Sequence, residues 1–155
     1  MKKIFVVAIR VLALALILSA CGAKAATPAP IARPSNPGGP GPAIGLTGDA
    51  TAGAQIFTDN CVVCHGDQGK GGVENTGSAD GTVPPLNPID ETLKSTDYKT
   101  FATNLDLFLE HGSTPALADG ATPPPDRVMP NWGENGKLQP QQIADVIAYL
   151  ISLNK

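Results

Sequence analysis

The stretch Cys61-Val62-Val63-Cys64-His65-Gly66, CVVCHG, places two of the chain's three cysteines and one of its two histidines within five residues. Its surroundings are unlike on the two sides. Upstream, Asp49 is a capping residue for a helix over Ala50 to about Asn60, with Ala52, Ile56 and Phe57 on one side and Gly53 allowing another element to approach closely. Downstream, Gly66 to Pro88 is rich in Gly and Pro and has no sustained apolar period, so it reads as a long loop. Ordered loops of that length usually wrap around something.

Cys-x-x-C-H spacing is the attachment pattern for c-type haem. Thiols three positions apart can each add across one vinyl group of the same porphyrin, and the adjacent imidazole is then held against the iron. Cys61 and Cys64 are therefore the candidate covalent tethers and His65 the candidate axial ligand. Two other chemistries use similar residues. A redox-active dithiol normally opens a helix after a strand, whereas here a helix comes first. A structural zinc site needs four ligands, and His111 is all that remains after this cluster once Cys21 is committed elsewhere.

A haem in an electron carrier has a sixth ligand. Apart from Met1 the methionine available is Met129, in VMPNWG, and the other histidine is His111. His111 falls at the expected C-terminus of a helix, where a histidine serves as a favourable terminal charge. Met129 lies in a loop beside Pro-rich segments, 64 residues beyond His65, from where it can fold over the opposite haem face. Met129 is the expected ligand.

Further elements follow from periodicity. Ser95-Thr96-Asp97 caps a helix carrying Tyr98, Phe101, Leu105, Phe108 and Leu109, stopped at Gly112. Ser113 to Val128 reads as loop. Pro140 opens a last helix whose stripe is Ile143, Val146, Ile147, Leu150 and Leu153. No strand pattern is evident. The expected fold is all-α, three or more helices and long loops wrapped around one covalent haem, with a core undersized without it.

The N-terminal part has a different character. Met1 to Ala20, MKKIFVVAIRVLALALILSA, has the layout of a secretory signal peptide. Leu18-Ser19-Ala20-Cys21 resembles a bacterial lipobox, which implies lipidation of Cys21 and a membrane anchor on the extracytoplasmic face. Residues 21–46 then form a Pro/Gly-rich tether reaching about 25–30 Å as a flexible coil, ahead of a folded domain over 47–155. From Thr47 onward six basic residues face 14 acidic ones, a formal charge of −8. Such a surface disfavours nucleic acid and suits a basic patch on a protein partner.

From Asp49 to Lys155 the chain resembles the class I, monohaem cytochrome c family. The likeness rests on Gly53 and Phe57 spaced four apart, CVVCH, Pro84-Pro85-Leu86, Met129-Pro130 and a terminal helix bearing Tyr149. It implies that Gly53, Phe57 and Tyr149 form the crossing of the terminal helices. It implies too that the Pro84 carbonyl accepts a hydrogen bond from His65, with Leu86 beside it. Trp132 has two readings, contact with the haem propionates or an ordinary buried indole. The segment 113–127 is longer than compact members need, and the lysine ring of mitochondrial members is missing. With a lipoprotein tether, the chain also looks like monohaem subunits of respiratory assemblies such as alternative complex III and cytochrome c oxidases. The implied function is single-electron transfer between redox proteins of a respiratory or photosynthetic chain, as mobile carrier or fixed subunit, without catalysis of its own. The alternative is an open-iron haem enzyme or gas sensor, which requires an iron that Met129 leaves free.

Overall fold

In the computed structural model, residues 33–34, 38–114, 117–118 and 125–155 are described. Met1–Ala20, Cys21 and most of the expected tether lie outside them. Helix α1 spans Ala50–Asn60, as expected, and starts where the Asp49 carboxylate accepts from the Thr51 amide at 2.7 Å. A single further turn, α2 (Val62–His65), carries the cysteine cluster. Helix α3 spans Tyr98–His111, with Asp97 accepting from the Thr100 amide at 2.8 Å. Helix α4 spans Pro140–Leu153, with Pro140 in the first turn and the Gln139 amide donating to Gln142 Oε1 at 2.9 Å.

The helices surround one apolar core. Phe57, Phe101, Leu105, Leu109, Ile143, Val146, Ile147 and Leu150 are all buried in it. Other expected members of the stripes sit differently: Ala52 is exposed and Ile56 and Phe108 are half-buried, Tyr98 is 51% exposed, because it opens the first turn of α3, and Leu153 is only partly buried at the end of α4. Helices α1 and α4 cross closely. Gly53 makes this possible, since a Cβ there would collide with the Asp145 backbone. Beside the crossing, the rings of Phe57 and Tyr149 are tilted at 57° with centroids 5.4 Å apart.

The tether expectation needs correction at its C-terminal end. Residues 38–46 lie on the helical domain: Pro42–Gly45 form a 3-10 turn, and Ala43 is 2% exposed. The Gly41 amide donates to Asp106 Oδ2 at 2.6 Å. Arg33–Pro34 (β1) and Ser113–Thr114 (β2) also form a two-residue antiparallel pair. Small residues and prolines have no apolar period, yet a chain without bulky side chains can lie flat on a helix and have its backbone groups satisfied there.

The close crossing predicts an overpacking penalty. Gly53→Val is expected to destabilise the haem-loaded protein by about 1–3 kcal/mol, read from the denaturant midpoint. Gly45→Ala, where nothing lies within 4 Å, is expected to leave the midpoint in place.

Candidate functional site

The turn after α1 sets the geometry. The amides of Cys64 and His65 both donate to the Cys61 carbonyl, at 3.1 and 2.9 Å, so Cys61, Cys64 and His65 are held on one helical face at positions i, i+3 and i+4. All three border a cavity of about 400 Å³. Pro84, Leu86, Met129 and Trp132 border the same cavity. Every haem-contact residue expected from the sequence is thus brought to one place. His111 is not among the lining residues.

The loop from Gly66 to Pro88 forms one wall and is more ordered than its composition suggests. The Gly71 amide returns to the His65 carbonyl at 2.7 Å, and the Leu86 amide reaches the Gly69 carbonyl at 2.7 Å. Asn154, just past α4, donates to the Leu86 carbonyl at 2.8 Å. Pro84 to Leu86 is thereby fixed beside His65. On the other side, Ser113 and Met129 exchange amide–carbonyl bonds of 3.0 Å in each direction, and the Trp132 amide donates to the Leu109 carbonyl at 2.9 Å. Trp132 is partly buried against the core, with Lys137 Nζ 5.5 Å from its ring centroid.

The site's electrostatics discriminate between chemistries. Burial, and then the neighbouring Cys64, push the Cys61 thiol up to about 12. An exchange-active dithiol needs the opposite shift, toward a thiolate near neutral pH. Among the described residues, no group of three or more His, Cys, Asp or Glu is arranged to hold a metal ion. Burial holds the His65 imidazole below its ordinary value, leaving it neutral with a lone pair for a metal. The Pro84 backbone acts on the ring in the opposite sense. Its approach falls short of a bond of ordinary geometry, for His65 Nδ1 is buried without a hydrogen-bond partner.

The neutral imidazole of His65, the paired thiols and the thioether of Met129 around one apolar-walled cavity fit a covalently held haem. The cavity volume lies within the usual range of cofactor sites, roughly 300–1,000 Å³. His111 is occupied differently. Its Nδ1 lies 2.8 Å from Glu134 Oε1 and its Nε2 lies 2.9 Å from the Gly39 carbonyl. Both partners are acceptors, so the protonated ring can donate from both nitrogens and then has no lone pair for a metal. The sequence signal missed at this site is Asn75, an unremarkable residue in a Gly-rich loop that proves to be 2% exposed and part of the cavity wall.

The family described as cytochrome c matches residues 50–154. A cbb3-type cytochrome c oxidase subunit FixP from Bradyrhizobium sp. (strain ORS 278) is 34% identical over 105 residues, which are 68% of this chain and 28% of that protein. The chain therefore spans just over a quarter of that relative's length. No solved structure matches it.

His111 also makes a pH prediction. The Gly39 carbonyl, then Glu134, raise its pKa above 6.5 against burial, and Glu110 adds to the effect. The stability this contributes is complete below 6.5 and is lost as pH rises through the raised folded value. Asp106, whose carboxyl is likewise raised by burial, faces the same arm, and losing its proton also lowers stability as pH rises. The melting temperature of the haem-loaded protein is expected to fall as pH rises above 6.5. His111→Gln, which cannot titrate, should flatten that fall; an equally steep profile in this variant would assign it to other groups.

Proposed function

The chain belongs to the cytochrome c family, and from that premise we propose a membrane-anchored carrier of single electrons with one covalent haem. Electron transfer is the family's work; the anchor, the haem count and the setting are the added reading. The observation that carries it is the convergence of Cys61, Cys64, His65 and Met129 on a single cavity. The sequence holds one C-x-x-C-H cluster, which supports one haem. Each thiol adds its sulfur to one vinyl carbon and its hydrogen to the other, so attachment consumes the double bond and needs no oxidant.

When bound, haem supplies a one-electron iron couple. The chain's residues determine how it is used. His65 and Met129 are the residues that would ligate the iron, which would leave no free position on it for a substrate; the soft thioether would favour the reduced metal. Leu86, Leu105, Phe108 and Leu109 line the cavity and exclude water from it. At the rim, Val63 and Val128 are 69% and 49% exposed, an apolar edge through which a redox partner can approach closely. The acidic remainder of the domain favours a partner with a basic surround.

The lipobox-like Cys21 supports an anchor on the extracytoplasmic face of a bacterial membrane. Similarity to a subunit of a cbb3-type oxidase supports a place beside, or within, a multisubunit respiratory assembly. In membrane fractions run on a denaturing gel, haem staining is expected to stay with the wild-type chain and vanish in Cys61→Ala/Cys64→Ala. Cys21→Ala should leave the membrane or remain unprocessed. Haem extractable by acidic organic solvent from the wild type would refute covalent attachment, and a mature N-terminus elsewhere than Cys21 would refute the anchor.

Ligation by Met129 makes a separate prediction. The oxidised protein should show the weak far-red charge-transfer band of thioether-ligated ferric haem. Met129→Ala should abolish the band and lower the reduction potential, whereas His111→Ala should preserve both. The reverse pattern would make the iron bis-His ligated.

A further inference from the structure

Asn75 is buried to 2% exposure in the loop that leaves His65, and its side chain is spent entirely on one residue across the cavity wall. Its Oδ1 accepts from the Arg127 amide at 2.8 Å, and its Nδ2 donates to the Arg127 carbonyl at 3.1 Å. This is the pair of bonds an adjacent strand would make, supplied by a primary amide. Arg127 answers from its own side chain, with Nε donating to the Glu74 carbonyl at 3.0 Å. Two residues farther on is Met129, which Ser113 holds from the other edge. Without Asn75, the amide and carbonyl of Arg127 would lose partners beside an apolar cavity, where unmade bonds are costly.

We propose that Asn75 is a positioning residue for Met129, fastening the segment that carries the thioether to the loop that carries His65 and so setting how readily the sulfur is displaced from iron. The inference rests on the assignment of Met129 as sixth ligand. It concerns what holds that ligand in place rather than the ligand itself. The Asn75 backbone is independently anchored: its amide donates to the Gly81 carbonyl at 2.9 Å, and its carbonyl accepts from the Ser78 hydroxyl at 2.8 Å. The side chain is thus presented by a tight turn rather than borrowed from a mobile one.

The test titrates the oxidised, haem-loaded protein with imidazole, an external ligand that competes with Met129, while following the far-red band. Asn75→Ala is expected to bind imidazole about tenfold more tightly or better, on the scale by which supporting residues move ligand affinity, and to show a weakened band. Asn75→Asp retains the acceptor for the Arg127 amide and should fall between wild type and Asn75→Ala; it carries the comparison should Asn75→Ala fail to retain haem. Ser78→Ala loosens the same turn without removing either bond to Arg127 and should bind imidazole within about twofold of wild type, well short of the tenfold scale. Unchanged imidazole affinity in the Asn75 variants, or an equal increase in Ser78→Ala, overturns the proposal while leaving Met129 as ligand. A band that survives Met129→Ala overturns the ligand assignment and this inference with it.

Discussion

The close crossing of α1 and α4 is the contact on which the rest of the molecule depends. Helix α1 runs directly into the turn bearing Cys61, Cys64 and His65, so whatever fixes the axis of α1 also fixes where those side chains point. Gly53 sits against the backbone of Asp145, and Asp145 Oδ1 in turn accepts from the Asp49 amide at 2.9 Å. The helix is thereby tied at its capping residue and wedged at its first turn. An α-helix rises about 1.5 Å per residue with little freedom to bend over three turns, so the orientation is carried intact to His65. At the far end of α4, Asn154 holds the Leu86 carbonyl, and the same helix positions a second part of the site.

The N-terminal arm shows a different way of stabilising a surface. Gly39 and Gly41 give α3 backbone groups rather than side chains: a carbonyl to His111 and an amide to Asp106. Asp106 is 0% exposed and its Oδ1 has no hydrogen-bond partner, so one side of the carboxyl is left unsatisfied, which is why burial raises its pKa. The imidazolium of His111 lies in the same electrostatic neighbourhood and lowers the cost of that burial. These residues hold the incoming chain without contributing to the cavity.

How much of this was legible in the sequence depended on the range of the interaction. Helix α1, its Asp49 cap and the Gly112 stop of α3 were visible because capping and periodicity are local. CVVCH was visible because covalent chemistry fixes its spacing. Gly53 and Tyr149 were recognised through a family resemblance, and the structure supplies the physical reason in the Asp145 contact and the Phe57 ring. The packed arm over 38–46 was not legible, since its contacts are backbone bonds to residues more than sixty positions away and its side chains carry no pattern. Asn75 was hidden for the same reason. An asparagine in a Gly-rich loop is usually a turn residue, and only its burial and its pairing with Arg127 distinguish it.

The distribution of hydrogen bonds also explains why loops can build a precise cavity in a fold with almost no sheet. A haem pocket needs walls on both faces, and helices α1, α3 and α4 supply only the base. The loop after His65 closes its own turns, with the Val83 amide on the Val73 carbonyl at 2.7 Å, and then extends a side chain to Arg127. The segment with Met129 is bonded to Ser113 on one edge and follows the Asn75 clamp from the other. Each wall is thus a short strand-like ladder whose missing neighbours are supplied by side chains, which satisfies buried backbone groups where no continuous strand could curve around a flat macrocycle. In the proposed carrier this arrangement would matter in one specific respect: ligands fixed from both edges would move little when iron changes charge, and the reorganisation accompanying electron transfer would stay small.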